Sequence, residues 1–303
     1  MIPRRKFLKT GTLAIAGASL FRSELFNYMK KEELLGLQLY SVRDDMKKDP
    51  LSTLKQLAEM GYKNVEHANY IDRKFYGWSP KEFKKVLKDL GMKMPSGHTV
   101  MGKEHWDETK KDFTDKWKWT VDDAAEMEQQ IVISPWLDES LRKTEDDLKR
   151  YMQVFNKSGE LCKKAGMKFG YHNHDFEFGT KLGDKTVYDI ILENTDPNLV
   201  VQQLDTGNMY HTGARAQDVL KKYPGRFTSM HVKDEIKSEK GESGSNYESA
   251  VLGTGVVNIK EVLELARSTG GTIHFIIEQE SYQDKTPLAA MKEDLAIMKS
   301  WGY

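Results

Sequence analysis

Cysteine is almost absent from this 303-residue chain. Cys162 stands alone, so no intrachain disulfide can form and the fold must rest on its core. Its setting, ELCKKAG, has helical spacing, which makes it a small buried or half-buried apolar residue. An excess of charge is also lacking: Lys+Arg and Asp+Glu number 46 each. The basic residues are spread along the chain, which speaks against a nucleic-acid partner or an anionic membrane surface. The apolar run Leu13–Leu20 is too short to cross a bilayer, so no stable membrane anchor is expected. A glycine-rich first turn, wanted by a doubly wound open sheet, is replaced by Ser41-Val42-Arg43-Asp44. The later Gly253-Thr254-Gly255 is a lone G-x-G and carries no argument for phosphate. What is present, 39% hydrophobic and 30% charged residues, suits a globular enzyme with a large core.

The first twenty residues form a separate object. Arg4-Arg5-Lys6-Phe7-Leu8-Lys9 precedes the apolar run, and Ala14, Ala16 and Ala18 offer a small-residue cleavage site. The segment resembles a twin-arginine export signal, with Pro3 where Ser or Thr is usual. Residues 1–20 are therefore expected to act as a signal peptide and the product to be periplasmic. No cysteine follows that could carry a lipid.

From Leu34 to the C-terminus, strand-like and helix-like segments alternate, which predicts a single (β/α)8 TIM barrel over residues 34–303. Four of the apolar strands end in chemistry. Lys168–Phe178 ends in His172, Asn173, His174, Asp175 and Glu177; Val200–Asn208 carries Asp205; Phe227–Asp234 carries His231 and Lys233; Ile273–Glu280 carries Glu278 and Glu280. Imidazoles and carboxylates are costly to bury without partners, so their recurrence at corresponding strand ends points to an active site at the C-terminal mouth. By the two-residue period, Gln38 and Tyr40 on the first strand face the axis. Glu66 and His98 end the second and third strands, in reach of substrate hydroxyls. Residues 101–119, rich in tryptophan, read as a long lid or substrate wall that includes Trp106. Glu235–Ser249 reads as a flexible loop on the same side.

Adjacent strands lie about 4.8 Å apart, so Asp205, His231 and Glu278 can converge on one divalent cation. Strand five must complete the set through Glu177, His172 or His174. Carboxylates with one imidazole make a hard site, suited to Mn2+ first, with Mg2+, Co2+ and Zn2+ also admissible.

GLQLYSVRD, MGYKNVEHA, YHNHDFEF, LDTGN, MHVKD and IIEQE together resemble the sugar phosphate isomerase/epimerase family with the xylose isomerase-like barrel, which includes inosose dehydratases. The resemblance implies metal ligands at Asp205, His231 and Glu278. It also implies a strand-five glutamate where this chain has His172, so Glu177 is taken as the substitute ligand. In such enzymes the glutamates of strands five and eight form the acid/base pair. Here His172 or His174 becomes an attractive base beside Glu278, and Lys233 a group for the developing oxyanion. The implied function is a metal-dependent isomerase or epimerase taking a proton beside the carbonyl of a keto-sugar or polyol. The alternative is a lyase acting by β-elimination on a 3-keto-glycoside or an inosose-like compound. A second alternative is an exported carbohydrate-binding barrel without catalysis. The expected partner is a small carbohydrate; nothing in the sequence sets the oligomeric state, a dimer included.

The export signal is directly testable. Arg4→Lys/Arg5→Lys should hold the precursor in the cytoplasm, because the arginine pair is read by a receptor. Equal recovery of variant and wild type in the periplasmic fraction would refute this.

Overall fold

Every barrel strand is parallel to its neighbours, and each depends on a helix to cover its outer face. The computed structural model describes residues 33–303 apart from 240, 243 and 270. The expected signal segment at 1–20 lies outside the described residues.

The strands are β1 (Leu34–Gln38), β2 (Asn64–His67), β3 (Lys93–His98), β4 (Ile131–Ser134), β5 (Lys168–His172), β6 (Val200–Asp205), β7 (Phe227–Val232) and β8 (His274–Ile277). They close in sequence order, with β8 pairing back onto β1. The covering helices are α1 (Pro50–Met60), α2 (Pro80–Asp89), α3 (Asp115–Glu126), α4 (Glu145–Lys164), α5 (Val187–Asn194), α6 (Ala216–Lys222), α7 (Ile259–Ser268) and α8 (Pro287–Ser300). The expected (β/α)8 barrel is thus the observed fold.

Local chemistry explains the element ends. Ser79 caps α2 reciprocally: its N–H donates to Glu82 Oε2 at 2.9 Å, and Glu82 N–H donates to Ser79 Oγ at 3.4 Å. Acidic Glu145, Asp146 and Asp147 open α4 while Lys163 and Lys164 close it, matching the helix dipole at both ends. Gly61 ends α1 at φ +106°, a left-handed conformation that side chains disfavour. β4 and β6 are buried at every position, since helices cover one face and the barrel interior the other.

Inside the barrel, bulk and absence of bulk are matched. A Cβ on Gly170 would lie 3.0 Å from Ile131 Cγ2 and 3.1 Å from Ile133 Cγ1, so β5 yields its space to the isoleucines of β4. Above this apolar layer the inward positions turn polar, which marks the functional end.

Several expected boundaries shift. β1 stops at Gln38 and continues as a 3-10 turn, Leu39–Val42, then a short helix, Arg43–Lys48, that periodicity did not reveal. The stretch 101–119 is shorter as a loop than expected, because α3 begins at Asp115; before it lies a small hairpin, Trp106–Asp107 with Asp112–Phe113. Glu235–Ser249 is not simply a flexible loop. Asp234–Lys237 and Tyr247–Ala250 pair as an antiparallel hairpin. The adjoining G-x-G turn is pinned by Asp234, whose Oδ2 accepts from Gly253 N–H at 2.9 Å and Gly255 N–H at 3.0 Å.

Helix-to-barrel packing makes one substitution diagnostic. Gly159→Ala in α4 gains about 1 kcal/mol of helix propensity. The new Cβ, however, would sit 2.6 Å from the carbonyl oxygen of Leu199, a backbone atom that cannot swing aside. Overpacking of about 1–3 kcal/mol or more should win. The expected result is a melting temperature lowered by several degrees in a circular-dichroism scan; an unchanged or raised value would contradict the packing.

Candidate active site

The polar end of the barrel is built on a carboxylate with no exposure to solvent. Glu66, near the end of β2, accepts at Oε1 from Gln38 Nε2 at 2.9 Å and lies 2.6 Å from His231 Nε2 and 3.0 Å from His98 Nε2. Its Oε2 accepts from Ser96 Oγ and from Gln203 Nε2, the latter at 3.0 Å. Burial opposes its ionisation, but His98 and His231 overcome this and hold the carboxyl well below the usual range. Glu66 is therefore a buried anchor for two imidazoles. Expected to lie in reach of substrate hydroxyls, Glu66 is placed beneath the residues that border the cavity, with His98 between. Gln38, buried behind it, is likewise a supporting group.

Above Glu66, side chains from β5 to β8 converge. His172, Asp205, His231 and Glu278 are all buried, and each offers one ligand atom within 4.8 Å of the others. His231 Nδ1 lies 3.0 Å from Glu278 Oε2 and 3.8 Å from Asp205 Oδ2; His172 Nε2 lies 4.0 Å from Asp205 Oδ2. Strand alternation aims Asp205 and His231 inward as neighbours in the β6–β7 register. Glu278 follows β8 directly, with its N–H still donating to Val232 O at 3.2 Å.

These residues fit a divalent cation on structural grounds. Asp205 uses Oδ1 to accept from Gly207 and Asn208 N–H at 2.8 and 2.7 Å, while its buried Oδ2 has no hydrogen-bond partner. Burial raises this carboxyl to about 7. His231 is raised to about 10: burial opposes its charge, but Glu278 and Glu66 prevail, so the site attracts positive charge. The outer nitrogens are oriented from behind, His231 Nε2 by Glu66 and His172 Nδ1 by Gln203 Oε1 at 3.0 Å. Two imidazoles with two carboxylates make a softer set than the sequence suggested, better matched to Mn2+, Co2+ or Zn2+ than to Mg2+.

Glu177 does not join this cluster. Asp175 accepts from Phe176 N–H at 2.8 Å and turns the chain into a short helix, Phe176–Gly179, so strand alternation ends before Glu177. Its carboxylate instead accepts from the Tyr171 hydroxyl and from His174 N–H, the latter at 2.9 Å. His172 takes the strand-five place. Trp106 is also displaced from its expected role: it packs edge-on against Phe113, with ring centroids 5.0 Å apart, and the tryptophans on the cavity wall are Trp119 and Trp136.

The cluster opens into a cavity of about 810 Å³, bordered by Tyr40, His98, His174, Asn208, Glu278 and Glu280 among others. His174 stands between His172 and Trp136, its ring 5.1 Å from each, and its buried Nδ1 has no partner. Lys233 is buried, paired with Glu280 and donating to Asn208 Oδ1 at 3.0 Å. Burial opposes its charge, yet Glu280 and Asp205 more than compensate, so it stays cationic. Sequence reasoning missed Ser96 and Trp136 and gave Asn173 no role. Asn173 holds the Asp205 backbone from both sides, accepting from its N–H at 3.0 Å and donating to its carbonyl at 3.3 Å. Its position directly after His172 was the available signal.

Comparison with known proteins agrees with this architecture. An inosose dehydratase of Clostridium perfringens is 29% identical over 200 residues, 62% of this chain and 64% of the relative, so the chain spans less than two thirds of that protein's length. A crystal structure of a sugar phosphate isomerase/epimerase from Parabacteroides distasonis superposes with a TM-score of 0.72 at 26% identity, covering 90% of this chain and 95% of that one. The zinc-containing IolI protein shares the fold, with a TM-score of 0.68 at 12% identity over 88% of this chain and 97% of that one. The model of the xylose isomerase-like TIM barrel family matches residues 54–301, nearly the whole barrel, and the chain belongs to that family.

Proposed function

We propose that this protein is an exported, metal-assisted carbon–oxygen lyase of keto-sugars or keto-polyols. The observation that carries the reading is the engagement of both His172 nitrogens, Nδ1 on Gln203 and Nε2 turned into the ligand cluster. Epimerisation removes a proton from one face of a carbon and returns one to the other, so it needs acid/base groups on both faces. The family resemblance supplies them as two glutamates; here the strand-five member is an imidazole with no nitrogen left to shuttle a proton. Elimination asks less. The bond from the α-carbon to hydrogen breaks, a carbon–carbon double bond forms, and the β-carbon to oxygen bond breaks, with the proton passing to the departing oxygen.

A divalent ion held by His172, Asp205, His231 and Glu278 would polarise the carbonyl and acidify its neighbouring C–H. His174, which borders the cavity and whose Nδ1 has no partner within the protein, accepts that proton. Lys233, kept cationic and close to Asn208 and Glu280, donates to oxygen as charge develops. His98 and Tyr40, on the wall, contact the substrate's hydroxyls. The likeness to inosose dehydratases supports this order of preference. The second reading, an isomerase or epimerase, is favoured by the Parabacteroides structure and shares the first proton transfer.

Product analysis separates the two. Incubation with 3-keto-glycosides and keto-inositols in D2O, followed by NMR, should reveal loss of the β-oxygen substituent. Products that retain every oxygen and show inverted, deuterated carbons would instead establish epimerisation. His174→Ala should keep bound metal and lower turnover by about 10²–10⁴-fold, the usual range for a general base.

The metal site has its own test. Asp205→Ala should lose metal, and Glu66→Gln should weaken metal affinity by about 10–100-fold without touching a ligand. Titration of metal-free protein with Mn2+ and Zn2+ measures both. Wild-type affinity in Glu66→Gln would remove the role given to that carboxylate.

A further inference from the structure

Exposed large apolar side chains are few among the described residues, and they are not scattered. Of the seven (Tyr40, Leu51, Ile71, Val100, Trp119, Trp136 and Val256), five border the active-site cavity. Only Leu51 and Val256 lie elsewhere. Single exposed apolar residues need no explanation, but a cluster around one mouth does.

The mouth is also divided. The ligand cluster comes from β5 to β8. The apolar wall comes from the opposite side: Ile71 from the hairpin after β2, Val100 after β3, Trp136 after β4, and Trp119 from α3. Trp119 is 42% exposed and Trp136 41%. Neither is loose. Trp136 packs edge-on against Phe176, with ring centroids 5.1 Å apart, as well as against His174. Trp119 is covered on one side by Arg73, whose guanidinium lies 5.4 Å from its ring and is itself held by Asp123 at 2.7 and 3.0 Å. Tyr70 donates to the same carboxylate at 2.6 Å.

Volume sets the size of the occupant. Even at the ~30 Å³ that one water occupies in the liquid, the roughly twelve heavy atoms of a six-carbon sugar fill less than half of the cavity's 810 Å³. Charge sets its type. Of the lysine and arginine side chains on the wall, Arg73 is committed to Asp123, leaving Lys116 alone, which is too little for a phosphate clamp.

We infer that the β2–β4 side of the cavity is a subsite for the second ring of an uncharged glycoside, stacked on Trp119 and Trp136 while the keto-sugar ring sits over the ligand cluster. This rests on the lyase reading for the reaction, and it names the leaving group: the substrate is a glycoside and the expelled oxygen is the glycosidic one. In a 3-keto-glycoside the proton leaves C2, the double bond forms between C1 and C2, the bond from C1 to the glycosidic oxygen breaks, and that oxygen takes the proton. No carbon is oxidised or reduced overall.

The experiment compares the 3-keto derivatives of cellobiose and of methyl glucoside. Wild type should show kcat/KM at least tenfold higher for the disaccharide. Trp119→Ala should collapse that ratio through KM, and Trp119→Tyr should restore most of it, since a platform and not a particular ring is needed. A ratio near one in wild type, or a ratio unaffected by Trp119→Ala, overturns the subsite. If neither compound is cleaved, the lyase reading fails by itself, and binding decides the subsite. Tryptophan fluorescence titrated with unoxidised cellobiose and methyl glucoside should then show at least tenfold tighter binding of the disaccharide, lost in Trp119→Ala. Equal binding of the two overturns the inference independently of the chemistry.

Discussion

A single buried negative charge organises the functional end of this barrel. Glu66 is enclosed by Gln38 of β1, Ser96 and His98 of β3, Gln203 of β6 and His231 of β7. An isolated carboxylate at that depth would cost several kcal/mol, so its ionisation requires the imidazoles and amides to stay in place. The dependence runs both ways. Held at Nε2, His231 can present only Nδ1 upward; held by the same Gln203 that contacts Glu66, His172 presents only Nε2. Orientation of the upper side chains is thus set one layer below, by Glu66 and Gln203.

Charge alternates upward from that layer. Anionic Glu66 lies beneath cationic His231, which lies beside Glu278, which lies on the same side of the mouth as Lys233 and its partner Glu280. Each group is stabilised by an oppositely charged neighbour. The arrangement leaves Asp205 Oδ2 and His174 Nδ1 as buried polar atoms without partners. Such atoms are costly in a folded protein unless a ligand completes them, and both border the region where one would bind.

The order of strands and helices was legible because their periods differ and because barrel strands are apolar on both faces. Asp205, His231 and Glu278 were legible because each lies within or directly after an uninterrupted strand, where alternation dictates direction. Alternation does not dictate depth. Gln38 was read as facing the axis and Glu66 as ending its strand, but how deep each lies depends on inter-strand stagger that one sequence does not display. Glu177 illustrates a different limit: Asp175 caps a helical turn, and three residues of strand logic beyond His174 lose their meaning. Trp106 looked like a wall because an over-long loop was assumed to hang open, whereas its partner Phe113 folds that loop upon itself.

The Asp234 turn carries a consequence of another kind. In many barrels of this architecture the loops after strands seven and eight cradle a phosphate with backbone N–H groups. Here the loop after β7 points the amides of Gly253, Gly255 and Val257 at the Asp234 carboxylate, at 2.9, 3.0 and 3.1 Å. The cradle exists, but the chain fills it with an anion of its own. Those three amides are satisfied by a carboxylate tethered in the same chain, so this turn holds none of them open as a donor to an incoming anion.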